Sequence, residues 1–271
     1  MRHELPPSFE AVHIRELLTE GQVMSNFFSH LKMRPRFTTS AVVVIVLVHL
    51  LVLSTETRLW LGFLVEPFAD MRTKALWAFG ARHTPSIVDG EWWRLISCIF
   101  LHGDVMHLAF NMVALFGLGR LAEAVHGPAR LAFLLLVAGV SGSLLSMFAG
   151  TSISVGASGS VFGLLGWGVV FGWRHRKDLP TPLRRFFGRG LMPWVILNLG
   201  IGLMVPNIDN LGHLGGLIGG AVLANLLGNR IIPGEEGSKM AGRVMGLVSG
   251  VAIVWTLAMM ADSVYYWLNL K

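Results

Sequence analysis

Residues 131–173 run for 43 positions without one charged side chain. At 1.5 Å per residue a single helix of that length would be roughly twice as long as a bilayer core is thick. The stretch must fold back on itself, and Gly150-Thr-Ser-Ile-Ser154 is the natural break. Two antiparallel apolar helices are the minimum that such a sequence can form. The whole chain supports a membrane setting: 53% of its 271 residues are hydrophobic and 14% are charged, against about 25% charged in a typical soluble domain. Mean hydropathy is +0.61. This richness in apolar residues excludes disorder. The 32 glycines show no three-residue period, which excludes collagen. One cysteine, Cys98, excludes a disulfide framework and a cysteine metal cluster.

Uncharged runs mark seven spans. They are Phe37–Thr55, Val105–Gly119 with extensions, the two halves of 131–173, Gly190–Ile208, Asn210–Asn229 and Val244–Ala261. With the N-terminus inside, the segments 1–36, 120–130, 174–189 and 230–243 hold 16 Lys/Arg against 8 Asp/Glu, and the outside segments hold 6 against 8. That asymmetry assigns N-in, C-out. It also accounts for the net charge of +6 without nucleic acid, since no basic run is interleaved with aromatics. The expected fold class is all-α, a polytopic transmembrane helical bundle. Residues 1–36 form a short cytoplasmic or interfacial tail, in which Pro6-Pro7-Ser8 can start a short helix to about Glu20. Glu4, Glu10, Arg15, Glu16 and Glu20 interrupt any signal-peptide core. Residues 56–100 form a long outside loop whose Trp60, Phe63, Phe68, Trp77, Phe79, Trp92 and Trp93 place it in the outer leaflet. Tyr265, Tyr266 and Trp267 form an interface belt at the end of the seventh span.

Polar groups inside spans are functional suspects. Three clusters lie at the outer ends of the even-numbered spans: His102 to Asn111 on span two, Gly156-Ala-Ser158-Gly159 on span four, and Asp209 to Gly220 on span six. A serine hydroxyl needs a positioned base to become a nucleophile, and a histidine suits that work near neutral pH. Gly159 and Gly163 on span four, and Gly216 and Gly220 on span six, recur at the four-residue interval that lets two backbones approach. His213 projects from the Gly216 face, so contact of the two spans brings Ser158 and His213 together. His107 and Asn111, at i and i+4, share a helix face as donors for an oxyanion, with the Ser158 N–H as a third. His102 takes a structural hydrogen-bonding role. Asp209 is four before His213; a cap by Asp209 or Asn210 at the start of span six is preferred to Asp209 as a third triad member. His49, mid-span in the first helix, is a packing residue. Gly156 to Ser160 is not a G-x-S-x-G elbow, and no H-E-x-x-H zinc pattern occurs.

These residues resemble the rhomboid intramembrane serine proteases over about 38–229. The marks are Trp93-Arg94, His102…His107-Leu-x-x-Asn111-Met, Gly156-Ala-Ser158-Gly159 and His213-x-x-Gly216-x-x-x-Gly220. The resemblance implies a six-span catalytic core (37–229), with 230–271 as a cytoplasmic loop and an added seventh span. It implies Ser158 as nucleophile and His213 as general base in a dyad, with His107, Asn111 and the Ser158 backbone at the oxyanion. It implies that Trp93 and Arg94 anchor the outside loop. Phe162 sits where the family usually has a tyrosine stacked on the catalytic histidine; the stack survives with Phe and the phenolic hydrogen bond does not. The implied substrates are transmembrane proteins, cleaved near the outer leaflet of a bacterial cytoplasmic membrane, with no cofactor or metal. Oligomeric state is not legible. Two other classes stay open: a catalytically inactive relative that binds membrane clients, and a transporter. Both Ser158 and His213 are present, and no matched half-repeats of a transporter are found.

Overall fold

The computed structural model describes residues 9–62, 68–150, 153–205 and 208–269, without the side chains of 9–18, 56–62 and 68–71. Pro6–Ser8, Phe63, Thr151–Ser152 and the side chains of Trp60 and Phe68 lie outside the described residues. The described chain is helical but for one two-stranded pairing. In order it forms α1 (Phe9–Lys32), α2 (Arg36–Gly62), α3 (Phe68–Ala78), α4 (Thr84–Val88), α5 (Arg94–Ser97), α6 (Val105–His126), α7 (Pro128–Phe148), α8 (Ser158–Arg174), α9 (Thr181–Phe186), α10 (Met192–Met204), α11 (Asn210–Leu223) and α12 (Lys239–Asn269). The fold is an all-α polytopic helical bundle, and the chain is an integral membrane protein. Apolar side chains such as Phe110, Val113, Phe148, Leu203 and Met204 cover its outer surface, where lipid rather than water is the stable neighbour.

Four helical stretches are long and apolar enough to cross a membrane by length and composition: Thr19–Thr55, which holds most of α2, and Val105–His126, Pro128–Phe148 and Lys239–Asn269. The remaining expected spans coincide with α8, α10 and α11, of 17, 13 and 14 residues. Those lengths rise roughly 26, 20 and 21 Å, short of the ~30 Å apolar core. Shortness is tolerable where the adjoining irregular backbone is covered by protein or lines a cavity. The first case is α8, buried at every position from Ser160 to Val169. A helix apolar all round belongs at the centre of a bundle.

The ends of the molecule differ from the sequence expectation. The short helix expected to stop near Glu20 continues to Lys32, because Val23 and Phe27, one turn apart, are buried in the core against α6. The last helix overruns its uncharged stretch in both directions to span Lys239–Asn269; charges end an apolar run without ending a helix. It packs on α7, with Ser249, Thr256 and Met260 buried.

The loop 56–100 does more than rest on a surface. Arg82–His83 pairs antiparallel with Ile153–Ser154, Arg82 opposite Ser154 and His83 opposite Ile153. Arg94, fully buried, binds the Glu91 carboxylate, donates to Trp77 O at 2.7 Å and Ala81 O at 3.2 Å, and lies 4.8 Å from the ring centres of both Trp77 and Trp93. Arg94 therefore ties α5 to the end of α3, to Ala81 and to Glu91, and the strand pairing joins this unit to the segment that leads into α8.

Candidate active site

The site is built at the start of α8. The segment before it turns at Gly156, whose φ of +136° suits glycine. The Gly156 N–H donates to Cys98 O at 2.9 Å. A side chain there would meet His107 Nε2 at 2.8 Å and Ser158 Oγ at 3.5 Å. The glycine thus leaves open the space that His107 and Ser158 both face. His102, buried, accepts from the Ala157 N–H through Nε2 at 3.4 Å and meets the His107 ring edge-on, centroids 5.0 Å apart. Burial, with smaller contributions from His107 and His49, drives the His102 pKa down to about 3. The ring stays neutral at physiological pH and keeps Nε2 free to accept.

Ser158 is the first residue of α8. Its N–H is among the helix donors that have no intrahelical partner, and the positive end of the helix dipole lies there. Ala157 caps the helix without a side-chain bond, so these donors are available to an anion. One turn on, Phe162 is buried and stacks on His213 with centroids 4.2 Å apart and planes 13° apart. Ser158 and Phe162 share a helix face, so the stack brings the His213 ring to the Ser158 side of α8. No hydrogen bond joins the Ser158 hydroxyl to His213 among the described residues, and His213 Nδ1 is buried without a partner.

Glycine contacts set this register. A Cβ on Gly216 would lie 2.0 Å from Gly159 O, and one on Gly220 1.9 Å from Gly163 O. Backbone meets backbone at two successive turns of α8 and α11. The sequence reading missed the third partner, α7: a Cβ on Gly142 would lie 2.5 Å from Gly212 O, and one on Gly215 2.5 Å from Ser141 O. The signal was present in Gly139, Gly142 and Ser143, small residues at helical spacing. Another unforeseen contact joins Ser146 Oγ to the Asp209 carboxylate. Asp209 caps α11, accepting from Gly212 N at 2.8 Å. Its two oxygens are thereby turned to the helix start and to α7.

Asn111 is buried and donates one amide hydrogen to His107 O at 3.0 Å, leaving its second. Asp104 caps α6 through the His107 N–H at 2.8 Å, a bond that holds its carboxyl below the usual range. Trp93 and Arg94 sit away from the serine, in the loop unit described above. His49 is buried with both ring nitrogens unpartnered, close enough to His102 and His107 to interact with them electrostatically. A cavity of about 30 Å³ beside Ser158 is lined by Ser143, Ser154, Gly156 and Asp209 among others, enough for a water molecule. No cluster of three or more metal-ligating side chains occurs among the described residues.

Comparison with known proteins bears on the family of the chain. The Rhomboid domain family model matches residues 89–230, just over half of the chain. The chain is 39% identical over 185 residues to Rhomboid protease GluP of Bacillus subtilis (strain 168), covering 68% of this chain and 35% of that protein. It is 38% identical over 154 residues to RHOMBOID-like protein 5 of Arabidopsis thaliana, covering 55% and 48%. It is 34% identical over 150 residues to Rhomboid-like protease 1 of Toxoplasma gondii, covering 52% and 49%. The chain thus spans from about a third to half the length of these relatives. Together with the helical bundle and its glycine-packed centre, the family match establishes that this chain belongs to the rhomboid family.

Proposed function

We propose that the chain is an intramembrane serine endopeptidase that cleaves transmembrane protein substrates near the outer leaflet. The observation that carries this reading is the Phe162–His213 stack one turn from Ser158 at the start of α8. It sets an imidazole beside a hydroxyl that already sits on unpaired helix donors.

Ser158 Oγ attacks the scissile carbonyl carbon while His213 takes the hydroxyl proton. His213 acts through Nε2, since Nδ1 is sealed in the interior. The tetrahedral oxyanion accepts hydrogen bonds from the Ser158 N–H, from His107 and from the second amide hydrogen of Asn111. His213 then gives the proton to the departing amine, leaving an acyl-enzyme. Water, activated by the same imidazole, releases the acyl fragment. The Ser158–His213 hydrogen bond forms as substrate enters; such bonds are commonly long in the empty enzyme. A substrate helix hides its carbonyls in its own bonds, so local unwinding selects helix-breaking or small residues near the cleaved bond. Residues 37–229 are the catalytic core, 1–36 a cytoplasmic segment and 230–271 a cytoplasmic loop with the seventh span. The N-terminus lies inside, the C-terminus and the active site outside, in a bacterial cytoplasmic membrane.

The second reading, a non-catalytic binder of membrane clients, draws on the unmade Ser158–His213 bond. The two separate cleanly. Purified protein is incubated with single-span substrates beside Ser158→Ala and His213→Ala, and with a fluorophosphonate. Cleavage and labelling lost in both variants are expected. Cleavage that survives both removes the dyad assignment, and a wild type that neither cleaves any of several substrates nor labels favours the binder.

A further inference from the structure

The end of the bundle opposite Ser158 holds a second cavity, of about 550 Å³, where α1 hands over to α2 beside the α6–α7 turn. Its lining includes His30, Arg34, Arg36, Arg120, Glu123 and Arg230. Four guanidinium groups therefore face one carboxylate, and that carboxylate is already engaged. Glu123 accepts from the Phe37 N–H at 3.1 Å, the Thr38 N–H at 2.9 Å and the Thr38 hydroxyl at 2.6 Å, capping the start of α2. Arg230 is fixed in the wall by its bond to Glu123 O at 2.6 Å. Arg34, Arg36 and Arg120 form no hydrogen bond or ion pair among the described residues, and all three are exposed. Like charges gathered around one hollow repel unless a counter-ion sits among them. Guanidinium groups match the oxygens of a phosphate by paired hydrogen bonds.

We propose that this cavity binds a phosphate-type anion, whose oxygens bridge Arg34 and Arg36 on one side to Arg120 and Arg230 on the other. The anion ties the α1–α2 connection to the α6–α7 turn. Two sources carry that chemistry: the headgroup of an anionic phospholipid, for which basic pockets between helices are suited, and free phosphate. The site lies far from the dyad and does not depend on the catalytic reading.

Thermal unfolding of the full chain tests it in two arms. In neutral detergent, inorganic phosphate is titrated against sodium chloride at matched ionic strength. In nanodiscs, phosphatidylglycerol replaces phosphatidylcholine stepwise. Three proteins are compared: wild type, Arg34→Gln/Arg120→Gln, and Arg176→Gln/Arg185→Gln, which removes the same charge from a separate exposed loop. The expected result is a saturable rise in Tm on the order of 5 °C in wild type and in the loop variant, with most of it lost in Arg34→Gln/Arg120→Gln. A rise in the phosphate arm assigns free phosphate; a rise confined to the phosphatidylglycerol arm assigns the lipid headgroup. Equal rises in all three proteins, or none in wild type in either arm, overturn the site. If the double variant does not fold, the single Arg120→Gln substitution gives the same ordering.

Discussion

Helices α8 and α11 on one side, and α10 on the other, are all too short to cross a bilayer unaided, yet they are held in opposite ways. The first pair is joined at backbone contact through Gly159, Gly163, Gly216 and Gly220, with α7 closing the third side through Gly142 and Gly215. In α10 only Val195 and Gly202 are buried, and Leu203 and Met204 are more than 80% exposed. The difference separates two uses of a helix in lipid. Without a hydrophobic drive between helices, close packing comes from small residues that allow dispersion contacts, and such packing fixes angles and depths. The pair that carries Ser158 and His213 has it. The helix beside them, α10, turns most of its side chains out of the bundle.

The strongest way to break this contrast is to add one methyl group. Gly216→Ala places a Cβ against Gly159 O, a backbone atom that no rotamer change can move aside. Overpacking of that kind costs about 1–3 kcal/mol or more. The expected outcome is a clear fall in Tm together with loss of cleavage, since His213 rides on the displaced helix. Retained cleavage at wild-type rate would show that the close contact does not set the register of the dyad.

Next in size is the stack itself. Phe162→Ala removes the ring against which His213 lies and leaves a cavity in a buried site; such truncations cost about 3–5 kcal/mol when fully felt. Rescue by Phe162→Tyr, with kcat restored, distinguishes ring positioning from mere volume. A Tyr variant no better than Ala would count against stacking as the positioning device.

Acid sharpens the comparison from the loop side. The folded-state pKa of His102 is about 3, against 6.5 for a free histidine. A depressed histidine disfavours the protonated form in the folded state. Its contribution is therefore complete above pH 6.5 and is lost as pH falls from 6.5 toward 3. Protonation would also end the acceptor role of Nε2 toward Ala157, next to Ser158. The drop in Tm between pH 7.5 and pH 5 should be smaller in His102→Asn than in wild type. An equal drop would place the acid sensitivity elsewhere.

How much of this was written in the sequence follows from what kind of physics each part uses. The charge-free run 131–173 forced two helices, and Phe148 and Ser158 do bound a break near Gly150. The glycine intervals on spans four and six pointed to faces that do meet, because a missing Cβ is visible residue by residue. The role of α7 is hidden in the sequence, since Gly139-x-x-Gly142 lies inside a long apolar run with no charged residue to mark the face that meets α11. At α10 and α11 the helix is shorter than the uncharged stretch, because such a stretch can end in loop backbone that the protein itself covers. The pairing of Arg82–His83 with Ile153–Ser154 joins residues about 70 positions apart and leaves no local trace. Position narrows the cap of α11 to Asp209 or Asn210 and the structure selects Asp209, whereas its bond to Ser146 depends on the angle at which α7 and α11 cross.

The smallest expected effect comes from the loosely held side. Gly200 lies inside α10, and a Cβ there would meet nothing within 4 Å. Replacing a helical glycine by alanine at a position with space reduces the freedom of the unfolded chain and stabilises by about 0.4–1 kcal/mol. Gly200→Ala should therefore raise Tm slightly, in the same assay in which Gly216→Ala lowers it sharply. The substitution is chemically identical at the two sites, and both residues lie in short apolar helices. Opposite signs would attribute the difference to the partner backbone that one glycine touches and the other does not. A fall at Gly200 comparable to that at Gly216 would mean that α10 is packed as tightly as α11, and the distinction between a closely packed pair and a loosely packed neighbour would have to be abandoned.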